Sequence, residues 1–204
     1  AFAAMIVSLS DKFLVRFYLG LDDAGIYGVT YKLGFPMLLV VRAFRSAWAP
    51  AVLSESDTDE GRRLCTRVAS YFTVTAVFMV LCISAFAPEL IALVAGANAP
   101  IYLPGRHVVS VVNLAFLFYG FYVILTAGVY VGTRTGMLPA IVGAGAALNI
   151  LLNILLIPRM GFIAAAWSTV AAYVLMAVLL YLCTRRFYPV AFEYGRLAKV
   201  AVAG

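Results

Sequence analysis

The sequence predicts an all-α fold, a polytopic bundle of membrane-crossing helices, and three observations carry that prediction. Six apolar stretches, each near bilayer length, fill almost the whole 204-residue chain. The chain is 65% hydrophobic and only 12% charged. Its mean hydropathy is +1.02. Crossing a hydrocarbon core of about 30 Å takes about 20 mostly apolar helical residues. Backbone amides in lipid find no water, so each stretch must satisfy its own N–H and C=O groups, as a helix does. Water-facing domains carry about 25% charged residues, twice the fraction present here.

The first stretch runs Ala1–Leu19 and is interrupted by Asp11, Lys12 and Arg16. A short turn at Asp22–Gly25 leads into the second, Ala24–Leu53, which at about 1.5 Å per residue is near 45 Å long and overshoots the core. Pro36 lies inside it and is expected to kink it by removing a donor and crowding the preceding turn. The link Ser54–Arg63 is strongly polar, with Glu55, Asp57, Asp59 and Glu60. The third stretch is Val68–Ala95, followed by an outer loop with Gly96, Pro100, Pro104 and Gly105. The fourth, fifth and sixth are Val108–Val131, Met137–Ile157 and Phe162–Cys183, the last two joined by a tight Pro158–Gly161 link. A seventh opens near Leu197. Both ends fall inside apolar runs, and no basic leader precedes the first run, so the expectation is a piece of a larger membrane protein rather than a signal peptide and mature domain. Trp48, Trp167, Tyr18, Tyr181 and Tyr188 fall near the ends of stretches, where amphipathic rings settle at headgroup level.

Basic residues in the links set an orientation. Arg62, Arg63, Arg67, Arg134, Arg185, Arg186 and Arg196 lie on one side, against Arg106 and Arg159 on the other. The positive-inside rule places the first group in the cytoplasm. The net charge of +6 fits anionic headgroups or an anionic substrate. A nucleic-acid partner is not expected, because no basic patch is interleaved with aromatics for base stacking.

Enzymatic constellations are largely missing from the pattern. His107 is the single histidine, and Cys65, Cys82 and Cys183 are too far apart for metal-binding spacing. No cofactor, no metal and no disulfide framework are expected. Gly143, Ala147 and Ala164–Ala166 read as small residues that let helices approach closely. Glu89, after Pro88, reads as a capping or interfacial residue.

Charges inside the stretches are the exception, since ionisable groups at membrane depth are costly and face a bundle interior or a wet cavity. Lys32 and Arg42 in the second stretch, with Asp11 and Lys12 in the first, form a candidate cationic wall for phosphate groups. Asp11 is expected to pair with a basic neighbour or with Lys32. Snorkelling toward the two interfaces is the competing account, and for Arg16 and Arg45 the favoured one. Asn149 and Asn153, four apart on one face, read as interhelical glue or as cavity lining.

Two segments carry a resemblance. Asp11–Leu33, in which a charged helix end leads through a turn to Gly25-Ile26-Tyr27 and then Lys32, resembles the opening of the second half of Wzx-type polysaccharide flippases. The run from Asn149 through Asn153 and Pro158 to Gly161, followed by an alanine-rich helix, is similar to that family's Asn-x-x-x-Asn-x-x-x-(Ile)-Pro-x-x-Gly pattern; one departure is Ala164–Ala166 where Gly-Ala-Ala is common. The family belongs to the multidrug/oligosaccharidyl-lipid/polysaccharide exporter superfamily.

The resemblance implies a second six-helix lobe over residues 1–188 and the start of an additional transmembrane helix over 189–204, with the N-terminal lobe missing. It further implies a non-enzymatic flippase in the cell inner membrane, with membrane lipids around it. Its partner would be a lipid-linked oligosaccharide on undecaprenyl pyrophosphate. Two alternatives stand beside it: a cation-coupled multidrug exporter of the same superfamily, which would want acidic cavity residues, and a glycan-modifying membrane enzyme, for which the loops are too short.

Overall fold

A computed structural model describes residues 2–55, 59–131 and 136–185. All regular structure among them is helical: α1 (Phe2–Leu19), α2 (Leu21–Lys32), α3 (Phe35–Glu55), α4 (Asp59–Ala85), α5 (Ala87–Ala95), α6 (Ala99–Tyr102), α7 (Arg106–Val131), α8 (Met137–Met160) and α9 (Ile163–Thr184). The chain is therefore an all-α bundle, as expected. Four segments are long and apolar enough to cross a membrane: Thr66–Ala85, Ala87–Thr126, Met137–Met160 and Ile163–Thr184. Helix α2 and residues Phe35–Trp48 of α3 make a fifth when taken together. Helix α1 is not among these, and Asp11, Lys12 and Arg16 interrupt its apolar run. The proposed start of a further helix at 189–204, Tyr188, and Arg134, Arg186 and Arg196 of the charge count lie outside the described residues.

Helix α7 is the hub. The most apolar window of Ala87–Thr126 is 78% buried, against 22% for Thr66–Ala85, which places α7 inside the bundle and α4 at its edge. A helix apolar on all sides belongs in an interior, and α7 presents Val112, Phe116, Tyr119 and Val123 to its neighbours. Helix α9 packs along α7 and α8, α1 lies against α8 and α2, and α3 and α4 cover the rest of α7. The helices α1, α2, α7, α9 and α8 thus close a ring whose interior holds the site described below.

The breaks fall at glycines more often than at prolines. Helices α2 and α3 are bent by 48°, and the break sits at Leu33–Gly34 rather than at Pro36. Pro36 occupies the second position of α3, where its missing N–H would have had no helical partner anyway. At Gly34 a Cβ would lie 2.8 Å from Val112 Cγ1 and 2.9 Å from Phe116 Cε2, so the chain turns where it presses on α7. The turn into α2 lies at Gly20, whose φ of 92° favours glycine. Asp22 and Asp23 instead form the first turn of α2, where the helix dipole favours carboxylates.

The third stretch is two helices. Phe86 breaks it ahead of Pro88, in the first turn of α5. The expected outer loop is itself folded, with 3₁₀ turns at Gly96–Asn98 and Leu103–Gly105 flanking α6. Gly105 seats this cap on α2, since a Cβ there would meet Thr30 Cγ2 at 2.6 Å. Helix α8 continues through Pro158 to Met160, and Gly161 (φ 72°) makes the turn.

The small-residue contact between α8 and α9 is made by Gly145, not by Gly143 or Ala147. A Cβ at Gly145 would lie 2.5 Å from Met176 Cγ, whereas one at Gly143 would meet nothing. Gly143 and Ala147 face outward, and Ala164–Ala166 are fully buried. Trp48 is likewise no interfacial anchor. It is buried, and its indole N–H donates to the Ile124 carbonyl at 3.2 Å.

Candidate functional site

Asp11 is the centre of the ring and is 0% exposed. Four side chains from three other helices donate to its carboxylate. Oδ1 accepts from Asn149 Nδ2 at 2.9 Å and Asn153 Nδ2 at 2.7 Å, both on α8. Oδ2 accepts from Thr169 Oγ1 of α9 at 2.6 Å and from the Tyr27 hydroxyl of α2 at 3.2 Å. Asn153 also donates to Asn149 Oδ1 at 3.3 Å.

The expectation that Asp11 pairs with a basic neighbour is corrected here: neutral amides and hydroxyls ring it instead. The physical reason is helical geometry. Asp11 and Lys12 are consecutive, so they point about 100° apart on a helix of 3.6 residues per turn. Asp11 faces α8 and α9, while Lys12 faces α2. Asn149 and Asn153 do form interhelical bonds, joining α8 to α1. All three are too buried to line an open surface as they stand.

Lys12 is half-buried, with Nζ 5.2 Å from the centroid of the Tyr31 ring, a cation–π distance. Lys32 lies close enough to Lys12 for the two charges to interact. Arg42 is exposed, yet within electrostatic reach of the fully buried Tyr173. Arg45, read as a snorkelling residue, is partly buried and donates to the Tyr119 hydroxyl at 3.2 Å. Arg16 is exposed toward the far end of α1.

Beside Lys12 and Arg45 lies a cluster of aromatic side chains, most of them tyrosines. The Tyr27 and Tyr31 rings are 5.7 Å apart, Tyr31 meets Phe116 edge-on at 5.9 Å, and Tyr119 and Tyr173 are 5.2 Å apart. Tyr31 and Tyr173 are also within charge-interaction range of each other. Lys12 and Arg45 thus touch the tyrosines, Lys32 and Arg42 are exposed rather than enclosed as a cavity wall, and Asp11, Asn149 and Asn153 form a buried knot.

Sequence reasoning missed Tyr27, Tyr31, Tyr119, Thr169 and Tyr173. The available signals were the four-residue spacing of Tyr27 and Tyr31, and a Ser-Thr pair inside an otherwise apolar α9. Neither names its partner, because each contact joins residues far apart in sequence.

Among the described residues no group of three or more His, Cys, Asp or Glu side chains could hold a metal ion. The Asp11 knot is nonetheless composed of hard ligands. Turning either amide by a half-rotation presents its oxygen in place of its nitrogen. Carboxylate, amide and hydroxyl oxygens are the donors that alkali and alkaline-earth cations take. Asn153 Oδ1 has no hydrogen-bond partner, which fits such an exchange.

The fold and site together define an all-α bundle whose long apolar helices are compatible with a multi-pass membrane protein, with a buried polar knot around Asp11. Searches against protein-family models, curated proteins and solved structures find no match for this chain.

Proposed function

We propose that this chain forms one lobe of a flippase that moves an undecaprenyl-pyrophosphate-linked oligosaccharide across the cytoplasmic membrane during polysaccharide assembly. The observation that carries the reading is the set of basic side chains around the tyrosines: Lys12 Nζ lies 5.2 Å from the Tyr31 ring centroid, Arg45 donates to the Tyr119 hydroxyl, and Lys32 and Arg42 lie exposed on α2 and α3, the helices of Tyr31 and Arg45. A sugar head and a pyrophosphate cannot cross about 30 Å of hydrocarbon unaided, whereas a prenyl tail dissolves in it. Cations on a partly dry surface stabilise the phosphates more than they would in water. The transporter performs no covalent chemistry and works by rocking of this lobe against a companion lobe, as repeat-built transporters do. The two motifs quoted above, Asp11–Leu33 and Asn149–Gly161, add the resemblance to flippases.

Replacing Lys32 by Ala is expected to abolish glycan export in cells while leaving the protein inserted in the membrane. Export at the unsubstituted rate removes Lys32 from the site.

One observation favours the second reading, a cation-coupled exporter of the same superfamily. Asp11 is a membrane-embedded carboxylate in an oxygen-rich setting, as a coupling site requires. The two readings part on substrate. A flippase loses transport of an anionic glycolipid when Lys32 is neutralised, and a drug exporter loses efflux of organic cations when Asp11 is neutralised.

A further inference from the structure

We infer that α2 is a hinged lid over the Asp11 knot, pivoting at Gly20 and at Leu33–Gly34 and latched by the Tyr27 hydroxyl. Swung away from its neighbours, it opens Asp11, Asn153 and Thr169 to solvent from the side that α2 covers. Swung back, it seals them.

The four helices that supply the knot are not equal. Three are unbroken: α1, α8 and α9 run 18, 24 and 22 residues. Helix α2 has only 12 and is set off at both ends. At its start Gly20 holds a φ of 92°, which favours glycine. At its end the Leu33 and Gly34 N–H groups donate three residues back, to the Thr30 and Tyr31 carbonyls at 3.2 and 3.1 Å, so the α-helical ladder stops there. The axis then turns by 48° into α3. Breaks at element ends are where a hinged movement takes up its dihedral change. The far side of α2 is unbacked. Among the described residues, a Cβ added at Gly25 or Gly28 would meet nothing within 4 Å.

What α2 gives the knot is its longest bond. Tyr27 reaches Asp11 Oδ2 at 3.2 Å, against 2.6 Å for Thr169, 2.7 Å for Asn153 and 2.9 Å for Asn149. Releasing it leaves the carboxylate three donors on α8 and α9, and the freed hydroxyl exchanges one acceptor for water. Other contacts that hold α2 down are also between side chains, or of side chains on Gly105. Lys12 Nζ lies 5.2 Å from the Tyr31 ring centroid, Tyr31 meets Phe116 edge-on at 5.9 Å, and Ile26 and Thr30 seat on Gly105. The Thr30 hydroxyl donates to the Ile26 and Tyr27 carbonyls of its own helix, so it adds no polar tie across that seat. Behind the lid, Asn153 Oδ1 is buried without a hydrogen-bond partner and gives an entering water an acceptor beside the carboxylate.

The test is thiol labelling of Thr169→Cys, a near-isosteric change behind the lid, with Cys65, Cys82 and Cys183 replaced by Ser. The detergent-purified protein is treated with a small water-soluble methanethiosulfonate, and the rate at each thiol is read by peptide mass spectrometry. Thr184→Cys, also buried but at the other end of α9, is the control. Tyr27→Phe is expected to speed labelling of Thr169→Cys by about tenfold, the effect of one hydrogen bond on an opening equilibrium, and to leave the control unchanged. Pinning the lid should do the reverse. A Cβ at Gly105 would lie 2.6 Å from Thr30 Cγ2, which brings the Thr30 Cβ, one bond farther, within the roughly 3.5–4.5 Å that a disulfide spans. Thr30→Cys with Gly105→Cys, plus Ile26→Ala to clear the 2.9 Å approach of its Cγ2, ties α2 to the N-terminal end of α7. Oxidised, this variant should label at Thr169→Cys several-fold more slowly than when reduced.

Equal acceleration of Thr169→Cys and the control by Tyr27→Phe means global loosening and overturns the lid. An unchanged rate at Thr169→Cys in that variant removes the latch and overturns it too. Equal labelling of the oxidised and reduced pinned protein has the same force, since Thr169 would then be reached by another route.

Discussion

At residue 11 a carboxylate is withdrawn from solvent and held by Asn149, Asn153, Thr169 and Tyr27, four donors from α8, α9 and α2. An apolar replacement leaves the Asn149 amide and the Tyr27 hydroxyl without this acceptor, at a cost of about 1–3 kcal/mol per group before relaxation, while Asn153 keeps Asn149 Oδ1 and Thr169 keeps the Ala165 carbonyl. Asp11→Ala is therefore expected to lower stability by about 3 kcal/mol or more. Thermal unfolding in detergent measures this, and an unchanged midpoint would make the knot incidental. Thr169→Val removes one donor and should cost about 1 kcal/mol, in line with interhelical bonds in membranes. The sequence singled out Asp11, Asn149 and Asn153 as polar residues in apolar company. It did not reveal that they meet, since 138 and 142 residues separate the asparagines from the aspartate. It also assigned Asp11 a basic partner because charge is legible in a sequence and a ring of neutral donors is not.

On the scale of single helices, the spacing of apolar stretches located the long helices well, and their ends less well. Pro36 was expected to kink the second stretch, but a proline in the first turn of a helix costs nothing there. The bend instead lies where Gly34 touches Val112 and Phe116, a contact made by α7 and invisible from α2 and α3 alone. The same reasoning distinguishes two glycines of α8. Gly145→Val should push α8 off Met176 and Ala172 and destabilise the bundle by about 1–3 kcal/mol. Gly143→Ala, in open space on the same helix, should be neutral or stabilising by up to about 1 kcal/mol. Comparing the two variants in the same unfolding assay checks the α8–α9 packing directly. A larger loss at Gly143 would mean the helix is rotated.

For the molecule as a whole, the uneven distribution of arginines between alternate ends of the apolar stretches predicts which side faces the cytoplasm, although Arg62, Arg63 and Arg67 lie in the first turns of α4 rather than in a link. Cysteine introduced at Ser56, in the polar link between α3 and α4 and outside the described residues, should react with an impermeant thiol reagent only from the cytoplasmic side. Labelling from outside would invert the orientation. The ring of α1, α2, α7, α9 and α8 explains how a chain this apolar keeps Asp11 inside; Lys12 and Arg45 are partly buried against Tyr31 and Tyr119, and Lys32 and Arg42 are exposed.

By itself the sequence determined that this is an all-α chain with membrane-length helices, because twenty consecutive apolar residues have one workable backbone conformation in lipid. It also marked the few polar residues that had to be accounted for. Which of them turn toward one another was decided only by tertiary packing. Hydrophobic periodicity sets the face a helix buries, but in a nearly uniform apolar chain that signal is weak. Close contacts at Gly34, Gly105 and Gly145 set the rotations of the helices instead. Those rotations brought Asp11 to the asparagines and Lys12 to Tyr31.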